Sequence, residues 1–76
     1  MVNLNGTLQS TQEGKVSINN RGLQYGDAVF ETLKVVSNRI NFWEDHYFRL
    51  MASMRILRME IPMTFSMEFL ENEILK

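Results

Sequence analysis

The sequence predicts a small α+β domain, a small antiparallel sheet with two helices, on three observations. Asn5-Gly6 lies between alternating apolar residues, the strongest short-range signal for a two-residue hairpin. Ala28 to Val36 alternates its side chains as a strand does. From Trp43 the spacing becomes three and four residues, and a second such pattern follows Pro62, so two amphipathic helices close the chain.

In order, Val2 to Leu8 gives two short strands around Asn5-Gly6, and Val16-Ser17-Ile18 is expected as a third before an Asn19-Asn20 turn. Arg21 to Asp27 reads as a glycine-punctuated turn, in which Gly22 and Gly26 allow either positive φ or close approach of another group. The longest strand is Ala28 to Val36, with Val29, Glu31, Leu33 and Val35 on one face and Phe30, Thr32 and Lys34 on the other. Ser37-Asn38 reverses the chain, and Arg39 to Phe42 is expected to pair back. Trp43, Tyr47, Leu50, Met51, Met54 and Leu57 form the apolar stripe of the first helix, with Glu44 and Asp45 at its start and Arg55 and Arg58 near its end, as the helix dipole favours. Pro62 closes that region. Thr64 or Ser66 can cap the last helix, which buries Met67, Leu70 and Ile74 and leaves Glu68, Glu71 and Glu73 in water.

A chain of 76 residues makes one small domain, 1–76, and buries only about 60% of its unfolded surface. Its core is expected to be thin, and six methionines add soft packing or apolar surface for a partner. A net charge of −1 gives no electrostatic footprint for nucleic acid or anionic membrane. Without cysteine there is no disulfide, thiolate metal site or thiol nucleophile. No stretch has membrane-spanning length, no signal peptide is evident, and a cytoplasmic protein is expected. The last helix is still periodic at Lys76 with no capping signal, as expected of a cut inside a larger protein.

Four groups of residues invite chemistry. His46, Arg49 and Ser53 share one stripe beside the apolar one, where Arg49 suits either a structural salt bridge or an anion held by its planar fork. His46 lacks a second histidine or carboxylate pair at ligand spacing, so no metal site is expected. Tyr25 and Phe30 are aromatics of the core or of a pocket, and Lys34 is a solvated amine or a ligand contact. Glu31 is the odd residue, a carboxylate on the apolar face that needs a sheet edge or a partner such as Arg39.

Taken together, Asn5-Gly6, Arg21-Gly22-Leu23-Gln24-Tyr25-Gly26-Asp27 with Val29-Phe30-Glu31-Thr32, and His46-x-x-Arg49-Leu50 resemble the N-terminal small domain of the class IV aminotransferases, the fold-type IV pyridoxal-phosphate enzymes. That family includes branched-chain and D-amino acid aminotransferases and aminodeoxychorismate lyases, and the likeness runs from about Val2 to Pro62. It implies that Arg49 binds the phosphate of pyridoxal phosphate, that Phe30 and Tyr25 shape the substrate pocket, partly across a homodimer, and that Lys34 stands where branched-chain enzymes carry an arginine.

The resemblance further implies amino transfer between an amino acid and a 2-oxo acid. The lysine that holds the cofactor covalently lies in the family's second domain, and neither Lys15, Lys34 nor Lys76 matches it, so this chain alone is expected to be inactive and to contain no catalytic residue. Two other readings stand beside this one: a lyase of the aminodeoxychorismate type, and a non-enzymatic oligomerisation or binding module built on the methionine-rich helices.

Overall fold

Asn5 and Gly6 both take positive φ, 54° and 90°, the conformation whose twist matches the flanking strands of a tight hairpin. They join β1 (Val2–Leu4) to β2 (Thr7–Gln9), with Leu4 opposite Thr7 and Val2 opposite Gln9. The computed structural model describes residues 1–76 and places two antiparallel ribbons and three helices in an α+β arrangement. The expected single sheet is thus divided in two, and a third helix is added.

That helix is α1 (Arg21–Tyr25), formed where the sequence reads as a turn. Asn20 caps it, its Oδ1 accepting from the backbone N–H of Gly22 at 2.8 Å and of Leu23 at 3.2 Å. Gly26, at φ 74°, ends it in the left-handed conformation, and its N–H returns to the Gly22 carbonyl. A side chain at Gly22 would crowd Asn20 Oδ1 and the Ala28 methyl, so one glycine serves conformation and the other close approach. The expected third strand at Val16-Ser17-Ile18 is absent. No neighbouring strand reaches it, and both apolar side chains stay exposed.

The long strand is also shortened. Only β3 (Val35–Val36) pairs, with β4 (Arg39–Ile40), across the positive-φ turn Ser37-Asn38. The returning chain gives one more bond, Asn41 N–H to Lys34 O at 2.9 Å, before Phe42 at φ 55° turns it into a helix. Residues 28–34 are therefore left without a ladder, since the segment that would pair with them has become helical. Their side chains nevertheless alternate: Val29, Glu31 and Leu33 are half-buried, while Ala28, Phe30, Thr32 and Lys34 are exposed.

Helix α2 (Trp43–Ile56) has the predicted acidic first turn and Arg55 in its last, whereas Arg58 lies beyond its end. It buries Met51 and docks on the chain leading to α3 (Met67–Leu75) through two side chains. The Trp43 indole N–H donates to Met67 O at 3.2 Å, and the Tyr47 hydroxyl donates to Phe65 O at 2.7 Å. Of the two expected caps for α3, Ser66 serves, its Oγ accepting from Phe69 N–H at 3.1 Å. Glu71 and Glu73 are half-buried and not in water, and Ile74 is exposed. Glu73 is drawn inward because Asn3 of β1 and Lys76 bond its carboxylate.

Only Ile40 and Met51 are fully buried, at 7% and 3% exposure. The accessible surface is 6386 Å² for 8.9 kDa, against about 4,800 Å² for a compact monomer of that mass. Much of the excess is apolar, with Ile18, Leu23, Tyr25, Phe30, Phe42 and Ile56 all exposed. No helix is long and apolar enough to cross a membrane.

Candidate functional site

The extended segment 28–34 and α2 meet at one carboxylate. Alternation turns Glu31 toward the helix, and the i, i+3 spacing of His46 and Arg49 presents both side chains to it. The His46 Nδ1 lies 2.6 Å from Glu31 Oε1, the Arg49 Nη2 donates to the same oxygen at 2.8 Å, and the Arg49 Nε donates to Oε2 at 3.0 Å. These bonds from Arg49 and then His46 lower the Glu31 pKa from 4.5 to about 2. The carboxylate is therefore ionised at any ordinary pH. It accepts only, so His46 carries its proton on Nδ1 and leaves Nε2 without a hydrogen bond. The 3.1 Å approach of Arg49 Nη2 to His46 Nδ1 is then two donors converging on one oxygen.

Glu31 engages the Nε and Nη2 edge of the guanidinium. The Nη1 group makes no hydrogen bond, one Nη2 proton is left over, and the side chain is 60% exposed while that of Glu31 is only 15% exposed. A planar fork of N–H donors thus faces outward from a fixed cation, a donor set that suits a phosphate or carboxylate.

Beside the cluster is a cavity of about 320 Å³ lined by Phe30, Glu31, Leu33, Trp43, His46 and Leu50, among others. Arg49 reaches it only through Glu31, and Tyr25 and Lys34 line neither cavity of the molecule. Tyr25 and Lys34 are exposed, and Phe30 presents an 86% exposed ring. A larger cavity of about 540 Å³ lies between the first hairpin and α3. Its one charged lining residue is Glu73, so it offers an anion no cation.

Glu31 does not meet Arg39, as the hairpin reading allowed, because the hairpin register sets Arg39 opposite Val36, five residues further along the segment, while Glu31 bonds Arg49. The three-residue cluster was missed from sequence although its two halves were separately visible. The usable signal is the match between an inward carboxylate on the alternating segment and a cationic stripe on the helix that follows.

The family model for amino-transferase class IV matches residues 28–76, which include the whole cluster. The chain is 36% identical over 61 residues to a protein of Methanocaldococcus jannaschii provisionally named a branched-chain-amino-acid aminotransferase, covering 80% of this chain and 21% of that protein. It is 38% identical over 50 residues to the D-alanine aminotransferase of Staphylococcus aureus strain N315, covering 66% of this chain and 18% of that one. The chain thus spans about a fifth of the length of these curated relatives. No solved structure matches it.

Proposed function

Because the chain belongs to the amino-transferase class IV family, we propose that it is the N-terminal small domain of a two-domain, pyridoxal-phosphate-dependent aminotransferase that moves an amino group between an amino acid and a 2-oxo acid. The observation that carries this reading is the outward edge of Arg49, a cation with free N–H donors held by Glu31, whose own side chain lines a cavity. That donor set fits the phosphate of the cofactor. When bound, pyridoxal phosphate supplies the electron sink for amino transfer.

The part played by this chain is binding and shaping. Arg49 holds the phosphate, Phe30 and Tyr25 form one side of the substrate pocket, and Lys34 meets the substrate's anionic end. Glu31 fixes the proton of His46 on Nδ1, so the imidazole acts as a fixed wall of the cavity. In this reading the covalent anchor is supplied by another domain, and the isolated chain is inactive. The exposed apolar side chains fit burial against that domain and a second subunit of a cytoplasmic homodimer.

The test is an assay of the longer protein that contains these residues. Supplied with pyridoxal phosphate, it is expected to convert 2-oxoglutarate to glutamate with branched-chain L-amino acids or D-alanine as donors. Pyruvate release from aminodeoxychorismate without amino transfer would replace the transaminase reading by the lyase one. Neither activity, with no cofactor absorbance, would remove both.

A further inference from the structure

We propose that Glu31 is a positioning residue for the anion clamp: it grips one edge of the Arg49 guanidinium and thereby aims the opposite edge at the incoming phosphate. This rests on the phosphate role proposed for Arg49. An arginine side chain has many rotamers, and an unsupported, exposed clamp loses that freedom when it binds. Here the loss is met in advance. Both Glu31 oxygens bond the guanidinium, Oε2 to Nε at 3.0 Å and Oε1 to Nη2 at 2.8 Å, which fixes its plane as well as its distance.

The carboxylate is itself held. It is half-buried between the extended segment and α2, and His46 Nδ1 donates to it from one helical turn before Arg49. Segment 28–34 therefore sets the direction of a side chain on α2. The side-on grip also leaves the correct donors free. The Nη1 protons and the second Nη2 proton lie away from Glu31, so a phosphate takes the end of the fork without displacing the carboxylate.

The opposite role is a competitor. A carboxylate that occupied the donors the phosphate needs would have to leave before phosphate bound, and its removal would strengthen binding. The two roles differ in sign. On the full chain, pyridoxal 5′-phosphate and pyridoxal are titrated by fluorescence against wild type, Glu31→Gln, Glu31→Asp and Arg49→Ala, with far-ultraviolet circular dichroism as the check on folding. Positioning predicts that Glu31→Gln weakens the phosphate ester about tenfold and leaves pyridoxal unchanged. Tighter binding of the ester by Glu31→Gln overturns the proposal. If Arg49→Ala keeps the wild-type preference for the ester, the clamp itself is wrong and this inference falls with it. If Arg49→Ala loses that preference but Glu31→Gln keeps it, only the positioning role is wrong.

A measurement on the unmodified chain stands even where a variant does not fold. In nitrogen-15 spectra the Arg49 Nε–H signal is expected downfield, in slow exchange, and unmoved as inorganic phosphate is added, while the Nη signals shift. Migration of the Nε–H signal to the position of free arginine at saturating phosphate would show that Glu31 is displaced, and would overturn the proposal.

Discussion

The two ends of the molecule fold by different means. From Ile40 onward, side chains from separate elements hold one another: Met51 is buried, Tyr47 bonds the chain before α3, and Trp43 bonds the first residue of α3. Residues 10–34 are organised almost wholly by neighbours in sequence, through the Ser10 turn, the Asn20 and Gly26 caps of α1, and the Arg21–Asp27 ion pair. Of their large apolar side chains, Val16, Ile18, Leu23, Tyr25 and Phe30 remain in water, and only Val29 and Leu33 are half-buried. The lesson is that capping and turn chemistry close within a few residues, whereas apolar side chains need a surface, and only the second end finds one inside the chain.

The bond of Glu31 to His46 and Arg49 is the side-chain polar link between residues 10–34 and the packed end, beside the backbone bond from Asn41 to Lys34, and the candidate site lies there. It stitches an unpaired extended segment to a packed helix.

Substitutions can break or sharpen this contrast. The largest effect is expected from Met51→Ala, which empties the centre of the packed end and costs about 2–4 kcal/mol, enough to unfold so small a core in a urea titration. Acid comes next. The folded pKa of Glu31 lies below its ordinary 4.5, so its stabilisation is complete above that value and is lost as pH falls from 4.5 toward about 2. Glu73, lowered in the same direction by Lys76 and then Asn3, adds to the same slope. Denaturation midpoints measured from pH 7 to 2 should fall below pH 4.5, and Glu31→Gln should flatten that fall, leaving the contribution of Glu73.

A smaller loss, about 1 kcal/mol, is expected for Ser66→Ala, which frees the Phe69 N–H at the start of α3 and is read as lost helicity. The smallest is Ile18→Ser. Its side chain is exposed, so the change is expected within about 0.5 kcal/mol, and a large destabilisation would mean that the first end has a core of its own.

Much of this was legible in the sequence. Both hairpins follow from Asn5-Gly6 and Ser37-Asn38, and α2 and α3 follow from their periodicity, because each signal is complete within its own window. The third strand and the length of the long one were not legible. Val16 to Ile18 and Ala28 to Lys34 have strand patterns, but a ladder depends on a partner, and alternation says only which side faces inward. Helix α1 is hidden for another reason: glycine is a poor helix former, and Gly22 masks the helix that the Asn20 side chain starts and Gly26 ends. At the site, sequence showed that Glu31 needed a partner and that Arg49 could hold an anion. Only the fold showed that one guanidinium edge answers the first need while the other remains free for the second.

The central claim is that the outward edge of Arg49 takes a phosphate. Its most direct measurement is the ratio of the affinities for pyridoxal 5′-phosphate and pyridoxal, taken for wild type and for Arg49→Ala under one buffer and one ionic strength. The wild type is expected to show a clear preference for the phosphate ester, and the variant a ratio near unity. An equal preference in both would contradict it.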